Sequence, residues 1–193
     1  VWEGLIETAL GGGNVVIFAP TGDIYVDRII DWSTGHTLTL TAFNDILFGL
    51  ASSGLNATGA GNATLNAGRN ISLSAGSGIT SNGGDLTFNS QRFRLDSGAV
   101  DAQGGNIDIN NSGGFQALAN SIRTSGTGTI SLNHNVDGDP FLSLNTIQNP
   151  VNAISNSGTG ANTIDVGAGS FAEDVLLDRT LTLNGANAGI AVD

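Results

Sequence analysis

The sequence predicts an all-β protein: a parallel β-helix with three short strands per rung of about 22 residues and roughly seven rungs. Three observations predict it. A Gly-x-Φ-x-Φ segment, with Φ small or apolar, recurs as GNVVIF at 13–18, GNATLN at 61–66, GDLTFN at 84–89, GNIDIN at 105–110 and GTISLN at 128–133. With a copy one residue longer at 35–41, the leading glycines stand 22, 26, 23, 21 and 23 residues apart. Each repeat also carries two further apolar pulses at matched offsets, and within every pulse apolar and polar residues alternate. That two-residue period marks strands with one buried face, and no stretch sustains a helical period of 3.6 residues.

Parallel pairing follows because an equivalent strand recurs only after a full repeat, whereas hairpins need tight two-residue turns and antiparallel partners. Taking the elements in order, Leu5, Ile6 and Leu10 precede the first glycine motif and read as part of an earlier rung. The first pulse then builds one inward column from Val15/Ile17, Leu38/Leu40, Ala63/Leu65, Leu86/Phe88, Ile107/Ile109 and Ile130/Leu132. A second column takes Ile24/Val26, Ile46/Phe48, Ile71/Leu73, Phe93/Leu95 and Phe115, and a third takes Ile30, Leu55, Ile79, Val100 and Ile122. Thr41, Asn66, Asn89, Asn110 and Asn133 follow the first column and form a stack whose amides can bond along the axis. Asn also tolerates left-handed backbone at a corner, which accounts for the same residues without a ladder.

The whole of 1–193 reads as one β-helix segment of a longer chain: regular rungs over 1–133, an inserted loop over 134–152, and further rungs over 153–193. The loop holds Pro140 and Pro150, where they cost the sheets no ladder bond. Beyond it, 153–166 echoes 121–133, and Val175/Leu177, Leu181/Leu183 and Ile190/Val192 continue the pattern. At about 4.8 Å per rung, seven rungs make a rod about 35 Å long.

Composition narrows the function. The chain has 17 carboxylates against 6 basic residues, a net charge of −11, no cysteine and no lysine. Nucleic acid and anionic membrane are excluded as partners because too little positive charge is available to neutralise phosphates. Disulfide scaffolds, zinc ribbons and thiol catalysis fall with the cysteines. No run of eighteen apolar residues is present, which argues against membrane insertion.

The repeats ITSNGGDLTFNS, VDAQGGNIDINNSGG, LTLTAFNDI and LNAGRNISLSAG resemble the shafts of filamentous-haemagglutinin-like large exoproteins, over roughly residues 13–133. That resemblance implies a right-handed β-helix, an adhesin, and export to the cell surface by two-partner secretion. The C-terminal run ANTIDVGAGSFAEDVLLDRTLTLNGANAGI is similar to the opening rungs of pectate-lyase-like β-helices. The secretion domain of the exoprotein family and its Asn-Pro-Asn motifs have no counterpart here, so the export route is implied by the shaft alone.

Candidate chemistry is sparse. A polysaccharide lyase, by the second resemblance, uses a basic proton abstractor beside acidic metal ligands. The arginines are scattered, and Arg92 and Arg94 flank the inward Phe93 so that both face solvent. Glycoside hydrolysis needs two carboxyls roughly 5–10 Å apart. Asp85 stacks near Asn106 and Asp108 near Thr87 and Ser131, so neither column places acid on acid. His36 and His134 lack a nucleophile elbow. Asn133, Asn135, Asp137 and Asp139 place oxygen ligands at alternate positions before and after Gly138, like the first half of a calcium loop. Leu144 stands where such a loop ends in Glu, and an ordinary acidic turn explains the same residues. The outward column Val16, Thr39, Thr64, Thr87, Asp108, Ser131 has the threonines of an ice-binding face, broken by Asp108.

The sequence therefore points to a non-enzymatic extracellular shaft segment of a bacterial surface adhesin or fibre, binding a host or neighbouring-cell surface or a glycan. A polysaccharide-binding or polysaccharide-cleaving β-helix and a self-stacking filament subunit are the rivals. With no capping helix in the pattern, both ends read as continuing into more chain or into another copy.

Overall fold

The computed structural model describes residues 3–74, 76–96, 98–134, 146–155, 159–167 and 173–185. Each rung holds three strands because the alternating pulses turn apolar side chains inward and the corners between them carry Gly, Asn and Ser. The first rung is β1 (Val15–Ala19), β2 (Ile24–Tyr25) and β3 (Ile29–Trp32), preceded by helix α1 (Glu3–Gly12). The second is β4 (Leu38–Ala42), β5 (Ile46–Phe48) and β6 (Gly54–Ala57), and the third β7 (Ala63–Ala67), β8 (Asn70–Leu73) and β9 (Gly78–Ser81). The fourth is β10 (Leu86–Ser90), β11 (Arg92–Leu95) and β12 (Val100–Asp101), and the fifth β13 (Ile107–Asn111), β14 (Phe115–Ala117) and β15 (Ile122–Arg123). The sixth opens with β16 (Ile130–His134).

Every strand pairs in parallel with its equivalent one rung away, giving a parallel β-solenoid of about six turns with a rung of about 23 residues. The first sheet runs β1-β4-β7-β10-β13-β16-β17-β18, with β17 at Thr163–Val166 and β18 at Thr182–Asn184. The second sheet has five strands, β2 to β14, and the third five, β3 to β15. The register is the one the repeats predict: Val15↔Leu38, Leu38↔Ala63, Ala63↔Leu86, Leu86↔Ile107 and Ile107↔Ile130 stack in line.

All three inward columns are buried from the second rung to the fifth. Leu38, Leu40, Leu65, Leu86, Phe88 and Ile107 are fully buried, and the two residues nearest the N-terminal end, Val15 and Ile17, are half-buried. Burying each Leu or Ile stabilises the fold by about 1.5–3 kcal/mol. Phe88 meets Phe93 edge-on at 5.2 Å between ring centres, and Phe93 stacks on Phe115 at 5.8 Å, so two rungs are locked by aromatic contact across the first and second columns.

The glycines that open the fourth to sixth rungs have a steric cause, which Gly13 and Gly35 at the first two rungs do not share, a Cβ there meeting nothing within 4 Å. A Cβ on Gly84 would lie 2.2 Å from the Gly61 carbonyl oxygen, one on Gly105 would lie 2.2 Å from that of Gly84, and one on Gly128 would lie 2.4 Å from that of Gly105. The chain passes so close to the preceding rung at this corner that no side chain fits. Gly160 continues the column, 2.0 Å from the Gly128 oxygen by the same construction.

Two findings correct the sequence reading. Leu5, Ile6 and Leu10 do not belong to a preceding rung: they lie on α1, which packs on β3 and touches β1. Leu10 is fully buried, and its carbonyl accepts the Thr34 hydroxyl at 2.7 Å and faces His36 Nδ1 at 2.7 Å. Glu7 accepts the Asp31 amide at 2.9 Å, pinning the helix to the third sheet. A capping helix thus exists at this end, encoded by the i, i+4 pair Ile6 and Leu10 rather than by alternation.

The second correction concerns the stretch assigned to an inserted loop, 134–152. Its last residues form helix α2 (Gln148–Ala153), which packs on β14 and takes the place of a second-sheet strand in the sixth turn. The third sheet then resumes as a parallel bridge, Ile122↔Ile154. Glu173 receives the Ile147 and Gln148 amides at 2.5 and 3.2 Å, closing the start of α2. Arg179, nearly buried at 10% side-chain exposure, donates to the carbonyls of Asn152 and Ile154 at its end and to Asn120 Oδ1. A negative group at the N-terminus and a positive one at the C-terminus oppose the exposed ends of the helix dipole. The remaining rungs over 153–193 appear as β17 and β18 of the first sheet; Ile190 and Val192 lie outside the described residues.

Candidate functional site

The solenoid carries ladders of polar side chains, each produced by one outward or corner position repeating at the rung spacing; besides the three that follow, Asn56 donates to Asp31 at 2.6 Å and accepts from Thr80 at 2.8 Å along the third sheet. In the first, Asn66 Nδ2 donates to Thr41 Oγ1 at 3.2 Å, Asn89 to Asn66 Oδ1 at 2.7 Å, Asn110 to Asn89 Oδ1 at 2.9 Å and Asn133 to Asn110 Oδ1 at 2.6 Å. The amides are therefore a directional chain, each donating toward the N-terminal end. Asn184 repeats the pattern by donating to Asp165 Oδ1 at 2.7 Å. A shallow hollow of about 350 Å³ runs beside this ladder between Thr41 and Ser112.

The second ladder was not legible as such in the sequence. Residues immediately before the first-sheet strands accept a backbone amide from the next rung: Asn14 from Thr37, Asn62 from Asp85, Asp85 from Asn106 and Asn106 from Thr129, at 2.8, 2.8, 2.8 and 3.1 Å. Asp85 thus serves a structural bond. Asp108, half-buried in the outward column between Thr87 and Ser131, has its carboxyl held above the usual range, first by burial and then by the negative charge of Asp85.

The third ladder stacks acid on acid, unlike the columns that hold Asp85 and Asp108. Asp23 and Asp45 occupy the corner before β2 and β5. Asp23 Oδ1 accepts the Asp45 amide at 3.2 Å, and Asp45 Oδ1 accepts both the amide and the Nδ2 of Asn70, at 3.0 and 2.8 Å. Arg69 pairs with Asp45 at 2.9 Å and lies 4.0 Å from Asp23. Tyr25 donates its hydroxyl to Asp23 Oδ2 at 3.1 Å, and that bond, with the surrounding carboxylates, pushes the phenol's titration upward. The signal was the Asp-Ile pair repeated at 23–24 and 45–46. Both carboxylates are engaged in holding rungs together, so the pair is built as a clasp rather than as an acid and a base across a cleft.

The outer face of the second sheet carries a further polar surface. Arg92 and Arg94 point outward as expected, on either side of the buried Phe93. With Asn70, Ser72, Gln116 and Leu47 they line a hollow of about 310 Å³. Arg94 pairs with Asp96 at 2.7 Å, and one sheet further round Arg123 pairs with Asp101 at 2.6 Å. Guanidinium and amide donors beside an aliphatic patch can hold hydroxyls or carboxylates of an extended ligand.

Of the calcium candidates, Asn133 belongs to the amide ladder and uses its Nδ2 there; Asn135, Asp137 and Asp139 lie outside the described residues. Among the described residues no group of three or more His, Asp or Glu is placed to hold a metal ion. The outward column Val16, Thr39, Thr64, Thr87, Asp108, Ser131 is aligned in register along the first sheet. No helix among the described residues is long and apolar enough to cross a membrane. Comparison of the chain with protein-family models, with curated proteins and with solved structures finds no match.

Proposed function

We propose that this chain is a non-enzymatic shaft segment of an extracellular bacterial adhesin or fibre, of the filamentous-haemagglutinin-like kind that its repeats resemble. One observation carries the reading. Several columns of outward and corner polar residues are spent on axial bonds: amide to amide along 66–133, side chain to backbone along 14–129, and Asp to Asn and Arg along 23–70. A solenoid tied along its axis on the outside and filled mainly with aliphatic side chains inside supplies length and stiffness, leaving recognition to loops and faces.

The test is adhesion by the isolated chain. Beads coated with the folded segment should adhere to host or bacterial cells, or to a subset of an immobilised glycan panel, above beads coated with urea-unfolded segment. Equal adhesion of folded and unfolded coats removes the adhesin role, and release of reducing or unsaturated ends from polysaccharide overturns the non-enzymatic reading.

The hollow on the second sheet favours a second reading, a polysaccharide-binding face. Under it, Arg94→Ala or Gln116→Ala weakens binding to an acidic glycan while the solenoid stays folded; unchanged binding removes it.

A further inference from the structure

One outward column of the second sheet changes character along its length. Tyr25, Leu47, Ser72, Arg94 and Gln116 stack in register from the first rung to the fifth, one side chain per rung. Beside it Arg92 stacks on Asn70, and the next position of that column is Gly114, one residue ahead of the Phe93↔Phe115 pair. Gly114 adds no side chain, and the hollow of about 310 Å³ opens between it, Arg92, Arg94 and Gln116. Arg92 and Arg94 alternate with the buried Phe93, so their backbones stand about 6.6 Å apart and both side chains leave the same face. Two of the six basic residues of a chain with net charge −11 thus share one four-residue strand. That is a local concentration of positive charge on an acidic molecule.

Toward the first rung the column loses its charge and then meets the opposite one. Ser72 is neutral, Leu47 is aliphatic, and Tyr25 presents a ring that is 63% exposed. The Tyr25 hydroxyl donates to Asp23 at 3.1 Å, and that bond first, then the surrounding carboxylates of Asp23, Asp45 and Asp27, push its titration upward. A polyuronate laid along the axis carries a carboxylate on every sugar. Over the first two rungs those carboxylates would face aspartates instead of guanidiniums. A ligand with its negative charge at one end avoids that repulsion. From Arg94 to Tyr25 is three rung steps, about 14 Å, the reach of a few sugar rings. We propose that this face binds the end of an otherwise neutral glycan capped by one acidic sugar. Arg92 and Arg94 hold the terminal carboxylate beside Gly114, Asn70 and Ser72 bond the hydroxyls that follow, and Leu47 and Tyr25 pack on the neutral rings. Arg94 reaches the ligand by exchanging its exposed pair with Asp96, a surface pair that contributes little. The inference rests on the polysaccharide-binding reading of this sheet and narrows it to one ligand class.

Ligand-observed NMR titrations of the folded chain with sialyl-lactose, lactose and tetragalacturonate test it. Sialyl-lactose binds about tenfold or more tighter than either of the other two. Arg92→Gln with Arg94→Gln abolishes that preference, and Tyr25→Ala weakens sialyl-lactose by about threefold or more. Asp96→Asn strengthens it by about twofold or more, because the carboxylate that competes for Arg94 is gone. Arg123→Gln makes the same change of charge on the third sheet and leaves binding as it was. Far-UV circular dichroism checks that every variant remains folded. Tetragalacturonate or lactose binding as tightly as sialyl-lactose keeps the binding face and overturns the inference. Equal weakening by Arg123→Gln traces the effect to net charge and overturns it too. Failure of all three sugars to bind removes the polysaccharide-binding reading together with the inference.

Discussion

Asn89 sits at the centre of the amide ladder, and its removal measures what that ladder contributes. Its Nδ2 donates to Asn66 at 2.7 Å and its Oδ1 accepts from Asn110 at 2.9 Å, both in a half-buried setting. Two neutral hydrogen bonds at about 0.5–1.5 kcal/mol each give about 1–3 kcal/mol, and water reaching the half-exposed amides brings Asn89→Ala to about 1–2 kcal/mol. For a chain of this size that lowers the melting temperature by roughly 2–8 °C. The assay is a urea titration at pH 7, read as a shift in midpoint at constant slope. A double-mutant cycle sharpens it. Asn89→Ala and Asn110→Ala each remove two bonds, but they share one, so the double variant loses three. The pair should be sub-additive by about one bond, roughly 0.5–1.5 kcal/mol. Thr87→Ala, two residues away on the same outward face, is the reference for a side chain outside the ladder. If Asn89→Ala costs no more than Thr87→Ala and the cycle is additive, the ladder is decoration and the stiffness argument fails.

The inward register predicts that Leu86→Ala or Ile107→Ala costs about 2–5 kcal/mol by opening a cavity, against well under about 1 kcal/mol for Thr87→Ala; equal losses in a denaturant titration would refute the strand register. Gly105→Ala forces a methyl group against the Gly84 carbonyl, 2.2 Å away. It should cost about 1–3 kcal/mol or more by thermal melt, whereas Gly22→Ala, which meets open space, should be near neutral; similar effects at both sites would refute the close corner. Asp108 has a folded-state carboxyl titration raised above that of the unfolded chain, by burial first and Asp85 second. Its contribution is present below the unfolded value and is lost as pH rises through the folded one. Asp108→Asn should therefore stabilise the fold at pH 7 and lose that advantage as the solution is acidified below the unfolded value, in melts run across that range; a pH-independent difference would refute the cause.

Much of this fold is legible because one residue position carries one physical duty through several successive rungs. Gly84, Gly105 and Gly128 recur since any Cβ meets a carbonyl, and Asn66, Asn89 and Asn110 recur since each amide needs the next. The sheets follow from those columns, and with them the outward placement of Arg92 and Arg94. The departures occur where duty depends on a distant partner. Helix α1 is a short amphipathic segment whose Leu10 and Glu7 acquire meaning only against Thr34, His36 and Asp31. Helix α2 replaces a strand because Glu173 and Arg179, more than twenty residues on, close its two ends. The Asp23–Asp45 clasp hid in the first two rungs because its third member is Asn70, which breaks the identity of the column.

The in-register pairing has a kinetic consequence. Partners in the sheets are close in sequence relative to the length of the chain: Val15 meets Leu38, Leu86 meets Ile107, and even across the turn that contains α2, Ser131 meets Thr163. Loop closure therefore demands about the same entropy for each added rung, however many rungs have gone before. Helix α1 can settle on β3 as soon as residues 3–32 are available. Each later rung then finds a finished template with its hydrogen-bonding groups already aimed. Folding becomes sequential growth from a seeded rung, and the time to complete a longer array rises with the number of rungs rather than with the improbability of one distant encounter.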